Sequence, residues 1–177
     1  IEGISLTTTV AGAEVAFTGS ANYTINPGAE TDEGTVLTDA DPAVSFFGYG
    51  DGETIDLTAA VANVIVNGTD NNDAYVVAAN NNVTITGRAT VENITGSTVT
   101  ANAGNGDDRF TVAGGNTLAV LNINGGDGDD DDTLDANLAA AAVTVDLGAR
   151  TVTGFGALIN YTGLQTVDAD ANGQTFR

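Results

Sequence analysis

The chain of 177 residues contains no cysteine, histidine or lysine, and it also lacks methionine and tryptophan. Without cysteine it has no disulfide and no thiolate metal site, and without histidine as well it lacks the usual ligands of zinc. The same absences remove most nucleophiles and general bases, so we do not expect an enzyme. A glycosidase with two carboxylates would need an aromatic or basic cleft, and the scattered tyrosines and arginines give no sign of one.

Basic residues are nearly absent, since four arginines face 24 acidic residues and the formal net charge is -20. Such a chain repels nucleic acid and anionic membranes, so neither is an expected partner. Two interpretations of the acidity stand: a solvated surface of the halophile type, or carboxylates neutralised by divalent cations. Of the acidic residues 18 are Asp, which tight turns and cation-binding loops prefer, and this ratio favours cations.

The apolar residues lie in short runs rather than in long ones, and no segment is long enough for a membrane span. From about Ala60 onward, runs of four to seven residues rich in Val, Ile and Thr end at Gly, Asn or Asp. Degenerate repeats of a strand and a turn are typical of a parallel β-helix or β-solenoid. We therefore predict an all-β fold with β-solenoid coils and Gly-Asp turns, and a β-sandwich is the alternative.

Composition divides the chain into two regions. Residues 1–59 are less regular and predict an irregular β region or cap, whereas residues 60–177 form a repetitive β-rich region; one continuous domain is the alternative. Within the second region, DANLAAAAV (135–143) is compatible with one or two helical turns after Asp135 or with a loop. Ile1, in place of an initiating Met, indicates a processed product or an excised piece.

Three turns share glycines, an aspartate and a following apolar residue. AGNGDDRFT (103–111) fits the pattern GGxGxDxUx, where U is an apolar residue that points inward, with Asp108 and Phe110 at the aspartate and inward apolar positions. GTDNNDAYV (68–76) fits more loosely, with Asp73 and Tyr75 at those positions. GGDGDDDDTLD (125–135) begins in the same way but has two extra aspartates before its strand.

These turns resemble the calcium-binding repeats of the RTX family. The resemblance implies a parallel β-roll in which Ca²⁺ binds between coils, to backbone carbonyl oxygens of the Gly-rich turns and to Asp carboxylates. It points to Asp73, Asp108 and Asp130 as side-chain ligands. Repeats of that family recur every nine residues or so, whereas no turn of this chain has a partner at that spacing. We therefore expect residues 129–132 to wrap an ion locally rather than through a stacked neighbour.

Electrostatics alone also favours a cation at these turns. Two carboxylates about 4 Å apart repel each other by about 4 kcal/mol at an effective dielectric constant of about 20. Solvation of an exposed loop tip is one way to relieve this repulsion, and binding of Ca²⁺, which prefers oxygen ligands, is the other. We predict Ca²⁺ as the cofactor. Its candidate ligands are Asp70, Asp73, Asp107, Asp108, Asp127, Asp129, Asp130, Asp132, Asp168, Asp170 and Asn172.

The last three of these candidates belong to DADANG (168–173), which has the start of an EF-hand-like loop. The Glu that completes such a loop has no place before Arg177. Either another chain completes the site, or the stretch is an ordinary Asx-rich turn. Elsewhere, five N-x-[ST] sequons would accept glycans on a secreted protein, and they contain Asn22, Asn67, Asn82, Asn93 and Asn160.

We predict an extracellular or cell-surface structural protein: a self-assembling filament or surface-layer subunit, or an adhesin module, that Ca²⁺ stabilises. Thin β-coils expose strand edges, which pair readily with a neighbouring copy, so the expected partner is a homo-oligomer or polymer. The alternative is a calcium-dependent carbohydrate-binding β-module of a secreted protein. For that alternative, Tyr49 in FFGYGDGET would begin an exposed aromatic platform.

Overall fold

The computed structural model describes residues 4–8, 10–18, 22–39, 42–57, 61–126 and 130–175. Within them the chain forms 18 β-strands and no helix, which confirms the all-β prediction. None of these residues therefore belongs to a helix that could cross a membrane. The strands are β1 (Ile4–Thr7), β2 (Glu14–Phe17), β3 (Asn22–Pro27), β4 (Glu33–Thr38), β5 (Val44–Phe47), β6 (Thr54–Leu57), β7 (Asn63–Asn67), β8 (Ala74–Val77), β9 (Val83–Ile85), β10 (Thr90–Glu92), β11 (Thr98–Asn102), β12 (Arg109–Ala113), β13 (Val120–Asn124), β14 (Thr133–Asn137), β15 (Thr144–Asp146), β16 (Thr151–Phe155), β17 (Ala157–Thr162) and β18 (Thr166–Ala169).

The strands form two sheets. Sheet A has ten strands in the order β1-β5-β4-β3-β7-β11-β13-β17-β16-β15, and sheet B has eight in the order β18-β14-β12-β8-β9-β10-β6-β2. The strands β7, β11, β13 and β17 pair in parallel in sheet A, and β8, β12, β14 and β18 pair in parallel in sheet B. The chain thus crosses from one sheet to the other and returns beside its earlier strand, which makes a coiled path.

Antiparallel pairs interrupt this coiled path, so both sheets are mixed. The strand β4 lies antiparallel between β3 and β5, β9 lies antiparallel between β8 and β10, and β16 lies antiparallel between β15 and β17. A regular parallel β-solenoid would contain none of these pairs. The two regions predicted from composition are joined, because β3 pairs with β7 and β6 pairs with β10.

Side chains from successive coils stack in columns between the sheets. Val64, Val99, Leu121 and Ile159 pair in register in sheet A and are all fully buried. Burying an aliphatic side chain of this size contributes about 1.5–3 kcal/mol. Most alternate residues on β7, β11 and β13 are polar and at least partly exposed, with Ile65 and Val120 as apolar exceptions. This alternation keeps the strands in register, because a slip by one residue would expose the whole column.

Two details resolve expectations from the sequence. The DANLAAAAV stretch forms no helix: it enters β14 and continues as a loop over 138–142. Tyr49 is buried and its ring packs edge-to-face on Phe46, with ring centroids 6.0 Å apart. It therefore does not offer an exposed aromatic platform.

Candidate functional site

Four turns leave sheet A on the same side of the coil and enter sheet B. They join β7 to β8, β11 to β12, β13 to β14 and β17 to β18. The first residues of the four sheet B strands pair side by side, so the residues just before them are stacked across the coils. We call these four stacked residues the aspartate column: Asp73, Asp108, Asp132 and Gln165.

Hydrogen bonds from backbone N–H groups to side chains hold the column together. The N–H of Asp73 donates to Oδ1 of Asp108 over 2.7 Å, and the N–H of Asp108 donates to Oδ1 of Asp132 over 2.8 Å. The N–H of Asp132 donates to Oε1 of Gln165 over 2.7 Å. A hydrogen bond contributes about 0.5–1.5 kcal/mol to stability when its acceptor is neutral, and about 1.5–3 kcal/mol when its acceptor is charged. The column therefore fixes the register of the turns, and it ends in a neutral amide.

The second oxygens of the three carboxylates differ in their surroundings. Oδ2 of Asp73 accepts hydrogen bonds from the N–H and the hydroxyl of Thr69, over 2.6 and 3.0 Å. Oδ2 of Asp108 and Oδ2 of Asp132 are buried and have no hydrogen-bond partner, and the two residues are 1% and 0% exposed. A buried polar atom without a partner costs about 1–3 kcal/mol, and more when it is charged. A proton or a cation at these two oxygens would relieve that cost.

Burial also shifts the ionisation of the column. Desolvation raises the pKa of Asp108 to about 7; the hydrogen bond from Asp73 opposes this shift, and the charge of Asp132 reinforces it. Desolvation likewise raises the pKa of Asp132, against the hydrogen bond from Asp108. Without a cation, burial therefore makes both carboxyl groups harder to ionise than an exposed aspartate.

Glycines allow the turns to approach the carboxylates closely. A Cβ atom on Gly125 would lie 2.5 Å from Oδ2 of Asp132. A Cβ atom on Gly104 would lie 2.4 Å from the carbonyl oxygen of Thr69, and one on Gly126 would clash with the carbonyl oxygen of Gly104. Both glycines have φ values above +100°, which only glycine adopts readily. The backbones of successive turns thus pack directly against one another.

Beside the column, large apolar side chains stack in the core. The rings of Tyr75 and Phe110 are parallel within 20°, with centroids 4.9 Å apart, and Leu134 pairs in register with Phe110. All three residues are at most 1% exposed. The inward positions predicted for Tyr75 and Phe110 are therefore confirmed. The hydroxyl of Tyr75 donates to the carbonyl oxygen of Asn102 over 2.8 Å, so its polar end is satisfied.

The structure places Asp132, and not Asp130, in the column. The register decides this, because Leu134 pairs with Phe110 and the residue before the strand is then Asp132. Oδ2 of Asp130 instead accepts the N–H of Gly106 over 2.9 Å. The hydrogen bond between Asp108 and Asp132 joins successive coils. The sequence pattern instead predicted that residues 129–132 wrap an ion within their own turn.

Two other predicted ligands lie on the exposed rim of the turns. Oδ1 of Asp70 accepts from the side-chain amide of Asn105 over 3.0 Å, and Oδ1 of Asp107 accepts from the N–H of Asp131 over 3.0 Å. Both contacts join neighbouring coils, as the column does. The remaining predicted ligands of this region, Asp127 and Asp129, lie outside the described residues.

The C-terminal candidates are separate from the column. Asp168 pairs in register with Asp135, in the middle of β14. Beyond β18, the N–H of Asn172 donates to Oδ1 of Asp170 over 2.8 Å. This contact between residues two apart is typical of an Asx turn.

The candidate ligand atoms of the column are oxygens, the ligand type that hard cations such as Ca²⁺ prefer. Within the described part of the chain, no group of three or more acidic side chains has the arrangement of a metal site. The column offers instead two unpartnered oxygens, on Asp108 and Asp132. The carbonyl oxygen of Gly163 lies near Oδ2 of Asp132, since a Cβ atom on Gly125 would be 2.9 Å from the first and 2.5 Å from the second. Ca²⁺ accepts such mixtures of carboxylate and carbonyl oxygens in flexible geometry.

Most of the predicted glycosylation sites use their side-chain nitrogen in hydrogen bonds. The Nδ2 groups of Asn22, Asn67, Asn93 and Asn160 donate to Asp39, Asn26, Asp56 and Asn122. Asn82 is half-buried, and its backbone N–H bonds to Oδ1 of Asn80. Several of these bonds belong to a ladder of asparagines on sheet A, in which Asn102 donates to Asn67 and Asn67 to Asn26. A glycan on a ladder nitrogen would replace one of its hydrogen bonds.

Comparisons of the chain with models of protein families, with curated proteins and with solved structures find no match. A functional assignment therefore depends on the fold and on the aspartate column.

Proposed function

We propose that the chain is an extracellular structural module, part of a filament, surface layer or adhesin, and that Ca²⁺ stabilises its coils at the aspartate column. The observation that carries this proposal is the pair of buried, unpartnered oxygens on Asp108 and Asp132. They lie between stacked turns whose carbonyl oxygens could complete the coordination of a hard cation. The resemblance of the three turns to RTX repeats supports the same ion.

Calcium would change the energy of the column in a defined way. In the ionised state, Asp73, Asp108 and Asp132 place three negative charges in adjacent coils, two of them with an unpartnered oxygen. A divalent cation would cancel two of these charges and satisfy both oxygens. Extracellular calcium modules bind with dissociation constants of about 10⁻⁴–10⁻³ M, near the concentration outside cells. The folded coils would then be most stable in that compartment.

A structural role agrees with the shape of the described chain. Sheet B ends in the four-residue strands β2 and β18, and sheet A ends in β1 and β15. Edge strands expose unpaired N–H and C=O groups that can pair with a neighbouring copy. Glu14 on β2 and Asp168 on β18 place a carboxylate on both edges of sheet B, which discourages pairing until cations screen it.

Thermal unfolding in calcium and in EGTA tests the proposal. We expect millimolar Ca²⁺ to raise the unfolding midpoint of the wild-type chain, and Asp132→Asn to abolish most of that rise. The matched control is Asp131→Asn, whose carboxylate lies outside the column. An unchanged wild-type midpoint in calcium would refute the proposal. If KCl alone raised the midpoint, the halophile interpretation would take its place.

A further inference from the structure

A second site lies at the turn that joins β15 to β16. A cavity of about 390 Å³ opens between this turn and the one that joins β17 to β18. Its side-chain lining comprises Leu147, Arg150, Tyr161, Thr162, Leu164 and Gln165. None of the lining residues is acidic, although 24 of the 177 residues of the chain are. The lining therefore carries one positive charge, that of Arg150, and no negative charge.

Arg150 supplies that charge, and no described carboxylate lies within ion-pair distance of it. The ion pair in the described part of the chain joins Arg109 to Asp135, and Arg88 donates to backbone carbonyl oxygens. Asp146, the acid nearest to Arg150 in the sequence, accepts two backbone N–H groups of its own turn through Oδ1, each over 2.9 Å. The guanidinium of Arg150 is thus available to a ligand.

Hydrogen bonds hold Arg150 and Gln165 at the edge of the cavity. Arg150 has a φ of +55°, and its carbonyl oxygen accepts the N–H of Tyr161 over 3.0 Å. Gln165 uses Oε1 to accept the N–H of Asp132, which leaves its Nε2 group as a donor. Leu147, at 74% exposed, adds an apolar surface that no described residue covers.

We propose that this cavity binds a sugar acid, that is, a hydroxylated ring that carries a carboxylate. Arg150 would bind the carboxylate with two parallel N–H···O bonds, the geometry that guanidinium groups favour. Nε2 of Gln165 and the hydroxyl of Tyr161 would bind ring hydroxyls, and Leu147 and Leu164 would contact the apolar face of the ring. The volume lies in the range of small-molecule sites, about 300–1,000 Å³.

The net charge of -20 does not prevent such binding. At an ionic strength of 0.15 M the Debye length is about 8 Å, so exposed acidic residues farther than this from Arg150 are largely screened from a ligand beside it. Gln165 belongs to both the cavity and the aspartate column, but none of the proposed contacts to the sugar acid needs a cation. The test of the cavity can therefore be done in EGTA, and its outcome does not depend on that of the column.

Titration calorimetry of the whole chain in 0.15 M NaCl and EGTA tests the site with glucuronate, glucose and acetate. We expect glucuronate to bind with a dissociation constant on the order of 1 mM. Glucose and acetate should have dissociation constants at least about tenfold higher. Arg150→Asn should weaken glucuronate binding by about tenfold, since Asn tolerates a positive φ but lacks the guanidinium. Arg109→Gln, which removes a different arginine, should leave the affinity unchanged.

Three outcomes would overturn the proposal: no binding of glucuronate, equal binding of glucose, or unchanged binding by Arg150→Asn. Equal binding of acetate would also overturn it, because the ring would then contribute nothing. Self-association that requires Arg150, without glucuronate binding, would assign the cavity to an acidic segment of a second copy instead. If Arg150→Asn fails to fold, Arg150→Lys keeps the charge without the two-pronged geometry and should still weaken binding.

Discussion

The buried carboxyl group of Asp108 makes the stability of the calcium-free chain depend on pH. Its pKa is about 7 in the folded state against an ordinary value of 3.8, because burial disfavours the charged form. Between these two values the folded state binds a proton that the unfolded state has released. The stabilisation is therefore fully present below about pH 3.8 and is lost as the pH rises through about 7. A shift of about three pKa units corresponds to about 4 kcal/mol across this window.

The assay is urea unfolding in EGTA from pH 4 to pH 8, with Asp108→Asn as the comparison. In the Asp108→Asn variant, the amide oxygen still accepts the N–H of Asp73, but the side chain does not ionise. The unfolding free energy of the variant therefore lacks the pH dependence that the Asp108 carboxyl group causes. We expect the unfolding free energy of the wild type to fall relative to that of the variant by several kcal/mol as the pH rises. Millimolar Ca²⁺ should reverse the fall at pH 8. A difference between the two proteins that stays constant from pH 4 to pH 8 would refute this reasoning.

Two further predictions concern the packing around the column. Gly125→Ala should destabilise the chain by about 1–3 kcal/mol in urea unfolding, because its Cβ would lie 2.5 Å from Oδ2 of Asp132. The control is Gly148→Ala, where the nearest atom to the Cβ would be 3.3 Å away. Equal losses of stability in the two variants would contradict the argument. Phe110→Ala should cost about 3–5 kcal/mol, because it removes the ring stacked on Tyr75. The exposed Phe47→Ala should cost much less, and a loss of similar size there would contradict the stacked core.

The strands could be predicted from the sequence because each run carries its own signal. Short apolar alternation and the glycines and aspartates that follow are local features, and they also gave the inward positions of Tyr75 and Phe110. The position of Asp132 is not local. Four consecutive aspartates, 129–132, are equivalent by pattern, and only the pairing of Leu134 with Phe110 decides which of them enters the column.

Irregular coil lengths hid the column itself. Asp73 and Asp108 are 35 residues apart, whereas Asp108 and Asp132 are 24 apart. The longer coil contains β9 and β10, which extend sheet B before the chain returns to sheet A. Extra strands of this kind change the spacing in the sequence but leave the turns stacked, so a search for a fixed period misses them.

The asparagine ladder was missed for a different reason. Asn67 and Asn102 end the runs NVIVN and TVTAN, and they stack because β7 and β11 pair in register. Asn67 also belongs to an N-x-[ST] sequon, and the sequence offers no way to separate a glycan acceptor from a ladder residue. The recurrence of asparagine at the ends of strands was the signal that could have found the ladder.

The direction of the bonds in the aspartate column gives the chain an order of completion. The backbone N–H groups of Asp73, Asp108 and Asp132 each donate to a side chain of the following coil. During synthesis, the most recently made turn therefore lacks its acceptor until the next coil has been added. Gln165 differs, because its backbone N–H donates to the carbonyl oxygen of Asp132 in the preceding turn over 3.1 Å. Gln165 therefore accepts the N–H of the preceding turn while its own N–H is already bonded, and the column ends at this residue within the described part of the chain.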